Sequence, residues 1–168
     1  MYATFHDNPP PAPAERYLLQ HIGDGRQFTI MLWDTEERAR AAVPRADEIY
    51  EVLDDWYGPA AEQAAHAASI AVFEGPVSAA HFEAGMRDHE KRLKPASATA
   101  EGFIRGLLLW QPNARSVRMV ATAASLETLE ADSRAVYTTP LPPDEDPALI
   151  MAPDRVEVCR VLDHVPAA

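Results

Sequence analysis

Twice along the chain a β-hairpin runs straight into a hydroxyl-capped, acidic helix, and this recurrence limits the fold more than any other feature. The first hairpin pairs Tyr17-Leu-Leu-Gln-His-Ile22 with Gln27-Phe-Thr-Ile-Met-Leu-Trp33 around Gly23-Asp24-Gly25. Asp34-Thr35 follows, where Thr35 suits an N-cap and Glu36 and Glu37 sit at the positive end of the helix dipole. The second pairs Gly102 to Trp110 with Ser116 to Thr122 across the turn Gln111-Pro-Asn-Ala114. Ser125 then caps a helix from Leu126 to about Tyr137. Overlaid, Phe28 to Ala41 and Arg118 to Ala131 match Thr35 with Ser125 and Glu37 with Glu127. Few letters are shared, so the repeat is one of element order.

Ahead of the second hairpin stands a strand, Ser69 to Glu74, ended by Gly75-Pro76. Ser78 caps a helix from about Ala79 to Leu93, with Phe82, Met86, His89 and Leu93 on one face and Lys94-Pro95 as its stop. The acidic, proline-rich stretch Thr139 to Pro153 reads as a loop, and Arg155 to Leu162 as a closing strand. Residues 69–168 thus follow the β-α-β-β-α-β, ferredoxin-like order. Residues 17–68 repeat only its back end, a hairpin plus a helix. In that helix Ala39, Ala42, Ala46, Ile49, Tyr50, Leu53 and Trp56 or Tyr57 keep helical spacing, and Pro44 kinks it. Within residues 1–16, Pro9, Pro10, Pro11 and Pro13 stand where a first helix would be, and Tyr2 to His6 can add a short edge strand.

The expected fold is α+β: two ferredoxin-like halves packed sheet to sheet in one chain, the first incomplete. On this reading the Ser69 to Glu74 strand serves both halves, or the first half lacks a strand. The opposing architecture is one ferredoxin-like domain with an appended hairpin and helix, forming a homodimer through its sheet.

A chain of 168 residues buries a sizeable core. Its net charge of −11 repels phosphate backbones and anionic lipid, which argues against nucleic acid and membrane surfaces as partners. No apolar run approaches the roughly 18 residues a bilayer requires, and the N-terminus has neither a basic start nor an apolar core. A cytoplasmic location is expected. The lone Cys159 can form no internal disulfide. A phosphate-binding glycine loop, a Gly-x-Ser-x-Gly elbow and a His-Glu-x-x-His motif are all absent.

Two segments resemble the antibiotic biosynthesis monooxygenase family of the dimeric α+β barrel superfamily. One is Met31-Leu-Trp33-Asp-Thr-Glu-Glu-Arg-Ala-Arg-Ala41, a strand ending in Trp that enters an acidic, Ala-rich helix. The other runs from Arg87-Asp-His-Glu-Lys-Arg-Leu93 to Glu101-Gly-Phe-Ile-Arg-Gly-Leu107. The resemblance implies a barrel of two sheets, which here can come from one chain as an internal pseudo-dimer. Ala123 stands at the place matching Trp33, a departure from the pattern. The family includes oxygenases of aromatic polyketides in secondary metabolism that use no metal or flavin, haem-degrading enzymes, and members without known activity. The implied activity is a cofactor-independent monooxygenase acting on a small aromatic or polyketide-like molecule. The alternatives are a non-catalytic ligand-binding or assembly protein and a haem-binding one. Cofactor-free oxygenation needs an apolar pocket for a flat substrate and a general base.

His89 is the candidate base, since an imidazole on an otherwise apolar helix face titrates in a useful range. Its competing reading is a hydrogen-bonded core histidine, with His89 also a possible iron ligand in the haem reading. Met86, Arg105 and Trp110 are expected to bound the same cavity, between the second-half sheet and its helices. Arg105 is placed on the side of Phe103 and Leu107, with Arg118 as a neighbour that would strengthen an anion site. Trp33 and Tyr50 are candidates to line a flat-ligand cavity, against the plainer reading of large core residues. No metal site is expected: Asp88-His89-Glu90 are consecutive on a helix and point about 100° apart.

Overall fold

In the computed structural model, residues 1–11, 14–43, 45 and 48–166 are described. Pro13, Pro44 and Ala46, which the sequence reading invoked, lie outside them. Eight antiparallel strands close into a barrel: β1 (Tyr2–His6), β2 (Glu15–His21), β3 (Gln27–Trp33), β4 (Ile49–Tyr57), β5 (Ala67–Phe73), β6 (Phe103–Gln111), β7 (Ser116–Ala123) and β8 (Arg155–Val165). Their order is β1-β3-β2-β8-β5-β7-β6-β4, and β4 returns to β1 through the pairs Tyr2–Glu51, Ala3–Tyr50 and Thr4–Ile49. Helices α1 (Glu36–Ala42), α2 (Ala79–Asp88), α3 (Lys94–Ser97) and α4 (Leu126–Thr138) pack on the outside. A π turn, His89–Leu93, joins α2 to α3. Among the described residues no helix is long and apolar enough to cross a membrane.

The strands β1 to β4 and β5 to β8 take the same spatial order, second-third-first-fourth. The barrel closes where the fourth strand of each run meets the second of the other, β4 on β6 and β8 on β2. Among the described residues, only the second run has helices after its first strand.

Alternation sets the packing. On β3, Phe28, Ile30 and Leu32 enter the barrel lumen with Tyr17, Leu19, Ile70, Leu107, Leu109 and Val120. Met31 and Trp33 take the opposite face, beneath α1 with Ala39, Val43 and Ile49. Both faces of β3 are therefore covered, which is why six of its seven residues are buried. The caps read from sequence are present: Thr35 accepts from the Arg38 N–H, Ser78 from that of His81 and Ser125 from that of Thr128.

Three expectations need correction. The helix expected over residues 35 to 57 stops at Ala42, and Ile49–Tyr57 is strand β4, so the first run has its fourth strand and does not share β5. A register shift between Val52 and Asp54 breaks the period-2 alternation of β4 and leaves spacings that mimic a helical stripe. The helix begun at Ala79 does not stop at Lys94-Pro95. It widens through the π turn and continues to Ser97, with Pro95 tolerated in the first turn of α3. Finally, Phe103 and Arg105 do not share a face. A register shift between them sends Phe103 outward against Trp56 and Leu108, while Arg105 points into the lumen.

Candidate functional site between helices and sheet

The outward faces of β5 and β7 carry small residues, Ser69, Ala71 and Ala121, where they run beneath α4. That leaves space. One lobe of about 60 Å³ lies under α2, walled by Phe82, Met86, His89, Leu108 and Met119 among others. A second, of about 270 Å³, lies between the sheet and α4, walled by Ser69, Ala71, Ala121, Asp132 and Val136 among others. Phe73, Asp88, Leu93, Met119 and Met151 line both lobes. Taken together they reach the low end of the roughly 300–1,000 Å³ usual for small-molecule sites.

His89 opens the π turn and is 1% exposed. Its Nε2 lies 2.8 Å from Asp54 Oδ2, and the ring meets Trp56 edge-on at 4.7 Å. Its Nδ1 is buried and has no hydrogen-bond partner. In the neutral ring, donation from Nε2 to the Asp54 carboxylate puts the lone pair on Nδ1. Lys94 Nζ is also 2.8 Å from Asp54 Oδ2. Burial alone would lift the Asp54 carboxyl, but the bonds from Lys94 and His89 outweigh it and hold the group below the usual carboxylate range. Trp56 can lie flat on the sheet because Gly106 has no side chain: a Cβ there would stand 2.1 Å from its ring.

Asp132 is the residue the sequence reading missed. It is 5% exposed, faces the larger lobe, and its Oδ1 has no partner. Burial pushes its carboxyl up to about 6. The available signal was its place in the stripe Leu129, Asp132, Val136, a carboxylate at helical spacing among apolar residues. Nearby, Asp88 and Arg92 form a two-pronged ion pair at 2.6 Å. Arg92 also donates to the carbonyls of Val136 and Thr139, tying the π turn to α4.

The other candidates divide between the two faces of the sheet. Met86 joins His89 in the smaller lobe. Trp110 is half-buried and packs on Phe82, 4.5 Å between ring centroids, at the edge of that region. Arg105 belongs elsewhere. It fills one end of the lumen, bonded to Asp55 at 2.7 and 2.9 Å, to Glu15 at 2.6 Å and to the Tyr17 hydroxyl at 3.2 Å. Tyr50 also lies in the lumen, against Phe5. Trp33 is sealed beneath α1, its Nε1–H donating to Thr4 Oγ1 at 2.8 Å. The orientation argument against a shared ion also fails at one pair: His89, Glu90 and Asp54 bring ligand atoms within 4.8 Å of one another. A cation already stands there, however, since Lys94 Nζ sits 4.0 Å from Glu90 Oε1 as well as against Asp54.

No protein-family model matches the chain, and no curated protein matches it. Solved structures do. An anthrone oxidase-like protein aligns with a TM-score of 0.54 at 14% identity, over 99% of this chain and 92% of the other. A haem-degrading enzyme from Listeria monocytogenes aligns at 0.59 and 5% identity, over 96% and 99%. An uncharacterised ferredoxin-fold protein related to antibiotic biosynthesis monooxygenases, also from Listeria monocytogenes, aligns at 0.58 and 6% identity, over 96% and 94%. The fold is therefore that of the antibiotic biosynthesis monooxygenase-like ferredoxin-fold proteins. At these identities the likeness is one of fold, and function has to come from the site.

Proposed function

We propose that this chain is a cofactor-independent monooxygenase acting on a small, flat phenolic or enolic molecule of polyketide-like chemistry, with His89 as general base. The observation that carries this reading is the buried, unpartnered Nδ1 of His89, a residue that lines the apolar lobe under α2, with Nε2 anchored on Asp54. The anchor fixes the tautomer that can accept a proton, and Lys94 keeps the anchoring carboxylate charged. Substrate bound against Met86 and Met119 loses a C–H or O–H proton to Nδ1. The resulting carbanion gives one electron to dioxygen, and the radical pair recombines to a peroxide. Loss of water then leaves a carbonyl, so a CH₂ and O₂ become C=O and H₂O with no outside reductant. The protonated imidazole supplies the proton that the departing hydroxide needs. Asp132, neutral below about pH 6, can donate a hydrogen bond to a substrate oxygen from the larger lobe.

The two runs of strands are read as two ferredoxin-like halves fused in one chain, the first without its first helix. On this reading the sheet face that pairs subunits elsewhere is satisfied internally, and a monomer suffices. A haem reading fits less well. The two lobes beside His89 together reach only the low end of the range for small-molecule sites, less than a porphyrin fills.

The test is oxygen uptake with an anthrone as substrate. The parent chain is expected to consume oxygen, and His89→Gln, which can still donate to Asp54 but offers no basic nitrogen, to lose about 10²–10⁴-fold in kcat. Equal uptake by parent and variant would remove His89 from the chemistry.

A further inference from the structure

Each end of the barrel lumen holds an arginine, and the two are treated differently. Arg105 is surrounded by Asp55, Glu15 and the Tyr17 hydroxyl, which satisfy its guanidinium. Arg118, on β7, has only rings. Its guanidinium carbon lies 4.2 Å from the Phe5 ring centroid and 4.7 Å from that of Tyr50. Among the described residues it makes no hydrogen bond and no ion pair, and Glu157 and Glu74 act on it only from a distance. Burial pushes this guanidinium below its ordinary pKa. Rings offer its N–H groups no strong acceptor, and unmade N–H bonds on a largely desolvated cation are costly.

Arg118 lines a cavity of about 200 Å³ at the barrel mouth, whose wall also holds Phe28 and Ile70, the cations Arg26 and Arg155, and the carboxylates Asp7 and Glu157. The neighbouring cations are committed. Arg26 pairs with Glu157 at 3.0 Å, and Arg155 pairs with Glu157 at 3.1 Å and with Glu74. We infer that the Arg118 end of the barrel binds a small aromatic monocarboxylate, whose two oxygens accept from the unpaired guanidinium N–H groups while its ring lies among Phe5, Phe28 and Ile70. A carboxylate matches the planar fork of donors, and the Phe5, Phe28 and Ile70 side chains in an otherwise polar wall offer a ring its contacts. One charge is the limit. Asp7 and Glu157 stand in the wall, and among the described residues no second unpaired arginine is there to offset a dianion such as phosphate. The cavity has room for a single ring.

Benzoate is the probe, and the full chain is the protein. In calorimetric titration benzoate is expected to bind, and Arg118→Met to weaken it at least about tenfold. Benzamide, its neutral counterpart, is expected to bind at least about tenfold more weakly than benzoate to the parent chain. In spectra of the ¹⁵N-labelled parent, benzoate is expected to shift the amides of Phe5, Arg26 and Arg118 and to leave those of Met86 and Asp132 in place. The inference is overturned by unchanged affinity in Arg118→Met, by benzamide binding as well as benzoate, by shifts confined to α2 and α4, or by no binding at millimolar benzoate. Should Arg118→Met not fold, the benzamide comparison and the amide shifts on the parent decide.

Discussion

Beneath α1 and beneath α4 the same layout, a capped helix laid on a barrel sheet, ends in opposite results. Under α1 the sheet supplies the bulk: Met31, Trp33 and Ile49 rise to meet Ala39 and leave a closed core. Under α4 the sheet supplies Ser69, Ala71 and Ala121, and the space they leave is a cavity with an unpartnered carboxylate in its wall. Even the residue matching Trp33 in the overlay, Ala123, is small and fully buried. The difference shows how one architecture is turned to two ends by side-chain size alone. Large residues on the sheet make a helix an anchor, and small ones make it the lid of a site.

The largest effect expected from this contrast is at Trp33. Trp33→Ala should cost about 3–5 kcal/mol of stability, measured by urea denaturation, because it empties a filled core and removes one of the two hydrogen-bond partners of the Thr4 hydroxyl, leaving only His6. Activity per folded molecule should be unchanged. A marked change in substrate KM for folded Trp33→Ala would mean that the α1 side is also part of the site.

A matched pair of insertions sharpens the comparison further. Ala39→Leu adds bulk to the packed side and should cost about 1–3 kcal/mol, whereas Ala71→Leu adds it to the cavity side, where space exists. Melting curves should show Ala71→Leu close to the parent, while ligand binding is lost. Equal destabilisation by the two would erase the distinction drawn here.

The smallest effect concerns Asp132 and pH. Its carboxyl is raised in the fold, so the buried group favours the folded state only while protonated. That contribution is complete below the ordinary aspartate value of 3.8 and is lost as pH rises through about 6. Asp132→Asn should therefore gain stability relative to the parent between pH 4 and about pH 7. A constant difference in Tm across that range would mean the carboxylate is solvated.

Short-range physics made much of this legible in the sequence. The caps at Thr35, Ser78 and Ser125 need only a hydroxyl and an amide three residues away, and the helix face carrying Phe82, Met86 and His89 needs only a period of 3.6. What failed was set by tertiary register. The irregularities at Val52/Asp54 in β4 and Phe103/Arg105 in β6 reverse which face later side chains take, so a strand passed for a helix and Arg105 was assigned to the wrong cavity. The partner of His89 was equally hidden. Asp54 is 35 residues away in sequence and meets the imidazole only through the tertiary fold.

The central claim is that His89 removes a proton from a substrate held between α2 and the sheet, and the proton step can be isolated by withholding oxygen. Under anaerobic conditions the parent chain mixed with an anthrone should develop the absorbance band of the substrate anion. His89→Gln should show none at the same pH while melting within a few degrees of the parent. An anion band of equal size in the variant, or oxygen uptake by a parent chain that never forms the anion, would contradict the account.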